Sequence, residues 1–224
     1  MDALIITGGE GPALPILEIL ASEADFIVAA DSGLEALAGT SFSPDYIVGD
    51  FDSLLNEGLL RKYSKAHIIR YPWDKDATDT EIALELCRAQ GAQRVIIAGG
   101  GGGRLDHILG ILYLFKRESR PLAWHGRFES LFYLLAGKHG RFKTVPGATV
   151  SIFPLMEASE GMASKGLKWP LEDLRWKAGD YGISNVALEG ELFVKAGSSA
   201  LLVVLPSGAE CIPENLQGSP GILD

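Results

Sequence analysis

Asp50 and Asp52 lie two residues apart in the run Gly49-Asp50-Phe51-Asp52-Ser53. In an extended segment, side chains at i and i+2 face the same way, so the two carboxylates repel unless a cation sits between them. Mg²⁺ suits such a pair, because it takes one or two carboxylates together with phosphate oxygens and water. Three further polar clusters accompany this one: Ala30-Asp31-Ser32-Gly33, Asp74-Lys75-Asp76-Ala77-Thr78-Asp79-Thr80-Glu81, and the glycine run 99–103 with Arg104, Leu105, Asp106 and His107. A glycine loop entering a helix offers amides and a positive dipole end to phosphate. Arg104 adds a bidentate donor.

Each cluster also has a plainer reading. Asp31 or Ser32 can serve as a helix N-cap. Thr78 and Glu81 have capping-box spacing, and Asp74, Asp76 and Asp79 can offset a helix dipole. His107 suits packing or hydrogen bonding better than base catalysis. The glycine run follows the fifth strand-like segment rather than the first, which excludes the dinucleotide fingerprint, and no P-loop pattern is present.

The elements that position these clusters alternate. Short apolar runs at 3–7, 26–30, 46–48, 67–70 and 94–98 read as strands covered on both faces. Helical patterns at 14–22, 34–37 and 78–88, and another after Arg104, separate them. This is the order of parallel βαβ units with right-handed crossovers. Ligands of such sheets bind beyond the carboxyl ends of the strands, and all four clusters fall there. After Arg120 the character changes to β-like stretches at 131–135, 149–153, 186–194 and 200–205, divided by Gly, Pro, Ser and Asn turns. An antiparallel unit is expected, with the change at 121–127 and domains of 1–123 and 124–224.

Composition narrows the function classes. With 47% hydrophobic and 22% charged residues, the chain matches globular proteins, which excludes wholesale disorder. A net charge of −9 leaves no basic face for a nucleic-acid backbone. Cys87 and Cys211 are too few for a disulfide framework or a four-thiolate zinc site, and Cys87 reads as a buried thiol. There is no apolar run long enough to span a membrane, and the first residues lack secretory-signal features. A cytoplasmic protein is the expectation.

The ordered motifs Ala-Asp-Ser-Gly, Gly-Asp-Phe-Asp-Ser, Asp-Lys-Asp-Ala-Thr-Asp-Thr-Glu and Gly-Gly-Arg-Leu-Asp-His resemble those of the thiamine pyrophosphokinase family. Gly166-Leu167-Lys168-Trp169-Pro170-Leu171 and Gly182-Ile183-Ser184-Asn185 resemble its two thiamine-domain motifs. The resemblance spans about 29–205. It implies an N-terminal parallel-sheet, three-layer α/β domain followed by a C-terminal antiparallel β-sandwich, in a homodimer with sites between subunits. It implies that Asp50, Asp52 and Asp79 surround Mg²⁺ and the ATP phosphates. Asp31, Asp74, Thr78, Gly99, Gly100 and Arg104 would lie on the nucleotide side. Asp106, Trp169, Ser184 and Asn185 would lie on the thiamine side, with Trp169 stacking on the substrate. Asp76 or Asp79 would accept the alcohol proton. Ser32 and Ile111 depart from the family pattern, where glycine and asparagine are common. A pyrophosphokinase for another alcohol, such as a hydroxymethylpterin, and a non-catalytic thiamine or nucleotide sensor are the rival readings.

Overall fold

Side-chain alternation along each apolar run decides the layers. β1 (Asp2–Thr7) sends Ala3 and Ile5 to one face of the sheet and Leu4 and Ile6 to the other, as a period of two requires. The computed structural model describes residues 1–52, 54, 56, 58–72, 74–155 and 158–212. Ser53 of the aspartate motif lies outside them. Met1–Arg127 and Phe128–Asp224 form separate units.

In the first unit, α1 (Leu14–Glu23), β2 (Phe26–Ala30), α2 (Gly33–Ala38), β3 (Tyr46–Gly49), α3 (Gly58–Lys62) and β4 (His67–Arg70) follow β1. Then come α4 (Asp79–Ala89), β5 (Arg94–Ala98), α5 (Leu105–Leu114) and β6 (Ala123–His125). The strands form a parallel sheet in the order β6-β5-β1-β2-β3-β4. Ala83, Leu84 and Cys87 of α4 and Ile111 and Leu114 of α5 cover the Ile5 face. Leu17 and Ala21 of α1 and Leu34 and Leu37 of α2 cover the Ile6 face. Register aligns the strand ends: Thr7 pairs with Ala30, Ala30 with Val48, Gly49 with Arg70, and Ile6 with Ala98. The residues just beyond those ends therefore share one rim.

Strand β4 departs from the expectation of full cover: as the sheet edge it is largely exposed. Cys87 is buried as expected, and burial pushes its thiol up to about 12. Among the described residues, no helix is long and apolar enough to cross a membrane.

The second unit is antiparallel. It contains β7 (Glu129–Leu134), β8 (His139–Lys143), β9 (Thr149–Pro154), β10 (Ala163–Lys165), β11 (Gly182–Val186), β12 (Glu191–Lys195), β13 (Leu201–Pro206) and β14 (Glu210–Cys211). One sheet runs β11-β9-β13-β7 and the other β10-β12-β8-β14. Phe132 of β7 and Phe142 of β8 join the two, with ring centroids 5.4 Å apart. The single apolar stretch expected at 186–194 is in fact two strands. The chain turns through Glu189 and Gly190, where Thr144 N donates to the Gly190 carbonyl and Leu188 N to that of Gly166.

Candidate active site

The rim begins with backbone that side chains rarely accept. Asp31, directly after β2, has φ 48°, and Phe51, between the two aspartates after β3, has φ 66°. Such conformations cost of order 1–3 kcal/mol each and gather at functional sites. Gly49 makes the approach of the two loops possible, since a Cβ there would lie 3.2 Å from Asp31 Cα. As a result, one ligand atom each from Asp31, Asp50 and Asp52 lies within 4.8 Å of the others. Three carboxylates at this spacing, all hard oxygen donors, fit a divalent cation such as Mg²⁺.

The electrostatics of the rim centre on Asp50. Its Oδ1 accepts from the Asp52 amide at 3.1 Å, and its Oδ2 from Lys75 Nζ at 3.0 Å. Lys75 also reaches Asp79 Oδ1 at 3.2 Å. The Lys75 hydrogen bond holds Asp50 below the ordinary carboxylate range. The charge of Asp50 in turn raises Asp52. Burial raises Asp79, although Lys75 opposes it. Burial also works against the Lys75 ammonium, but its bonds to Asp50 and Asp79 outweigh that and raise its pKa. Asp79 is thus drawn to Lys75, and the third carboxylate grouped with Asp50 and Asp52 is Asp31.

Asp79 owes its place to the start of α4. Thr78 Oγ1 accepts from the Glu81 amide at 3.2 Å, and Glu81 Oε2 accepts from the Thr78 amide at 2.7 Å. The expected capping box is therefore formed, and Arg117 ion-pairs with Glu81 behind it. The buried hydroxyls of Thr7 and Thr80, 2.7 Å apart, pin the same turn to the end of β1. Asp74 and Asp76 are exposed on the connecting loop. Ser32 stands at the N-cap of α2 without a side-chain capping bond.

The glycine loop differs from its expected use. The Gly99 amide donates to the His125 carbonyl at 3.0 Å, that of Gly100 to Gly8 at 2.8 Å, and that of Gly101 to Glu10 at 3.0 Å. These amides are committed to the fold. What Gly99 and Gly100 supply is clearance: added Cβ atoms would lie 2.2 Å from the Thr7 carbonyl oxygen and 2.2 Å from Ile111 Cδ1, respectively. Ile111 is therefore part of the floor beneath the loop. Arg104, at the N-cap of α5, donates from Nε to Asp106 Oδ1 at 3.1 Å. Both side chains are largely exposed. Arg104 holds Asp106 below the ordinary range. His107 is exposed too, and its backbone amide donates to Asp106.

In the second unit, Trp169 stands 52% exposed beside β11. Asn185, itself buried, clamps the Trp169 backbone from both sides. Its Oδ1 accepts from the Trp169 amide at 3.1 Å, and its Nδ2 donates to the Trp169 carbonyl at 2.7 Å. Lys168 Nζ lies 4.5 Å from the indole centroid. Ser184 is exposed, with φ 58°, where the β11–β9 register shifts, and its amide donates to Ser151 Oγ at 3.3 Å.

With this geometry in hand, comparison with known proteins is decisive. Residues 17–122 match the thiamin pyrophosphokinase catalytic domain, and residues 141–201 match the thiamin pyrophosphokinase vitamin B1 binding domain. The chain belongs to the thiamine pyrophosphokinase family. A thiamine pyrophosphokinase from Bacillus subtilis is 25% identical over 198 residues, covering 87% of this chain and 91% of that protein. The crystal structure of a thiamin pyrophosphokinase from Geobacillus thermodenitrificans is 29% identical with a TM-score of 0.75, covering 92% of this chain and 98% of that one. The Bacillus subtilis enzyme structure superposes with a TM-score of 0.76 at 23% identity, over 93% and 100% of the two chains.

Within this family member, sequence reasoning overlooked Lys75, which ties Asp50 to Asp79. The available signal was a lone cation in an acidic run, four residues before Asp79. It also overlooked the clamp of Asn185 on Trp169. That pairing carries no spacing signal, because the two positions meet only through the strand geometry.

Proposed function

We propose that this chain transfers the terminal pyrophosphoryl group of ATP to the primary hydroxyl of thiamine, giving thiamine diphosphate and AMP. The observation that carries the reading is the cluster of Asp31, Asp50 and Asp52 beyond the ends of β2 and β3. These three residues would hold Mg²⁺, with Asp79 beside them. When bound, the ion neutralises phosphate charge and draws the phosphates to the rim.

Phosphoryl transfer has a loose transition state, so the protein mainly positions groups and neutralises charge. The thiamine hydroxyl oxygen forms a bond to the β-phosphorus, and the bond from that phosphorus to the α,β-bridging oxygen breaks, so AMP departs. Asp79 suits the alcohol proton better than Asp76, because it sits beside Lys75 and Asp50 while Asp76 is exposed on the connecting loop, and burial raises the Asp79 pKa. Arg104 is exposed enough to turn from Asp106 to a phosphate, where its fork pairs two oxygens. Asp74 and Thr78 border the nucleotide, with Gly99 and Gly100 shaping the loop above it. Trp169 offers its face to the cationic thiazolium, Ser184 and Asp106 supply polar contacts, and Asn185 holds Trp169 in place. The working form is a homodimer with sites at the subunit interface. It acts in the cytoplasm, which suits an ATP-dependent enzyme with free cysteines.

The test offers purified protein ATP and Mg²⁺ with either thiamine or a hydroxymethylpterin. AMP release with thiamine alone supports the reading. AMP release only with the pterin, or with neither alcohol, refutes it.

A further inference from the structure

Lys75 is the cation set deepest among the rim carboxylates. Its ammonium bonds Asp50 Oδ2 at 3.0 Å and lies 3.2 Å from Asp79 Oδ1, with only 13% of the side chain exposed. The other oxygen of Asp50 accepts from the Asp52 amide. Both oxygens of Asp50 are thus engaged, yet Asp50 is also one of the three carboxylates grouped for a divalent cation. An ammonium and a divalent ion on the same carboxylate repel each other. Lysine is a compact charge on a flexible stem with three rotatable donors, so it can leave one acceptor for another. Nucleotide phosphates are the strong acceptors that would arrive with the metal.

We propose that Lys75 is a built-in counter-ion that competes with the divalent cation for Asp50 and turns to the nucleotide phosphates when metal and nucleotide bind together. The consequence is coupling. The cation alone binds weakly, because it must displace Lys75. With nucleotide present it binds tightly, because the displaced ammonium has a new partner. This inference rests on the metal-site reading of the rim given above.

Mn²⁺ is the probe, titrated into the full chain and followed by electron paramagnetic resonance, with and without a non-cleavable α,β-methylene analogue of ATP. Lys75→Gln should bind Mn²⁺ alone at least about fivefold tighter than wild type, and should lose most of the tightening that the analogue brings. Its melting temperature in chelator should fall and be restored by Mn²⁺, since Asp50 and Asp79 then lack their cation. Lys75→Arg keeps the charge and should bind Mn²⁺ alone within about twofold of wild type, which preserves the comparison if Lys75→Gln folds only with metal. Unchanged or weaker Mn²⁺ binding by Lys75→Gln overturns the inference while leaving the metal site standing. A fivefold gain by Lys75→Arg overturns it equally. If Asp50→Asn and Asp52→Asn bind Mn²⁺ as wild type does, the metal-site reading itself falls, and the inference falls with it.

Discussion

Replacing Asn185 by alanine separates a residue that touches thiamine from one that holds Trp169. The buried amide of Asn185 makes three hydrogen bonds: to the Trp169 amide at 3.1 Å, to the Trp169 carbonyl at 2.7 Å, and to its neighbour's amide, that of Val186, at 2.8 Å. At about 1 kcal/mol net for each bond, Asn185→Ala should cost about 2–3 kcal/mol of stability. For a chain of this size that is roughly 5–10 °C in Tm. The catalytic effect follows from the ring. A partly desolvated cation–π contact contributes about 1–2 kcal/mol, and 1.4 kcal/mol is about a factor of ten. Trp169→Ala should therefore raise the thiamine KM about tenfold. Asn185→Ala, which loosens the ring without removing it, should raise it about three- to tenfold, with the ATP KM little changed in both. Steady-state kinetics on the two single variants and the double variant decide the matter. If Asn185 acts through Trp169, the double variant has the thiamine KM of Trp169→Ala. A double variant whose KM rises by the product of the single effects refutes the argument, because Asn185 would then contribute independently of the ring.

Three further outcomes are expected. Gly99→Ala should lower the urea midpoint by the equivalent of about 3 kcal/mol or more, because φ is +102° and the new Cβ would meet the Thr7 carbonyl oxygen at 2.2 Å; an unchanged midpoint contradicts the clearance argument. Glu81 is lowered despite the burial that opposes it, through its bonds to Thr78 and the charge of Arg117. A depressed carboxylate stabilises the fold above its unfolded pKa and loses that contribution as the pH falls through its folded pKa. The stability gap between wild type and Glu81→Gln, about 0.3–1 kcal/mol at neutral pH for a carboxylate in the first turn of a helix, should therefore close in acid; a gap that widens in acid contradicts the sign. Assayed with thiamine well below the wild-type KM, where Trp169→Ala should be about tenfold impaired, an equal mixture of Trp169→Ala and Asp50→Asn chains should be more active than Trp169→Ala alone, since one hybrid site keeps both groups; heterodimers that form without any gain contradict a shared site.

The parallel strands were legible because their runs are short, apolar and bounded by polar clusters at one end. The end of β2 at Ala30 and the limits of β4 and β5 fall where the apolar pattern stops. The rim was legible for the same reason, as its carboxylates follow directly on strand ends. The second unit was harder to read. β8 (His139–Lys143) carries a polar side chain on every exposed position, so only Phe142 marks it as a strand. The turn between β11 and β12 is hidden inside a stretch that looks continuous. The amide commitments of Gly99 and Gly100 were not legible either, because their acceptors, His125 and Gly8, are distant in sequence and meet them only through the sheet. Lys75 shows the limit most clearly. Its residue type and neighbours were visible, but its bond to Asp50, 25 residues away, depends on where α4 begins.

Both terminal phosphoryl groups of ATP should move to thiamine in one transfer supported by the Asp31–Asp50–Asp52 rim. The direct measurement is ³¹P nuclear magnetic resonance of a reaction containing ATP, thiamine, Mg²⁺ and the purified chain, run beside Asp50→Asn and Asp52→Asn. AMP and thiamine diphosphate should appear in equal amounts with no ADP or thiamine monophosphate preceding them, and turnover should be largely lost in both variants although they remain folded. Accumulation of ADP with thiamine monophosphate, or full turnover in both variants at limiting Mg²⁺, would contradict a single transfer at that rim.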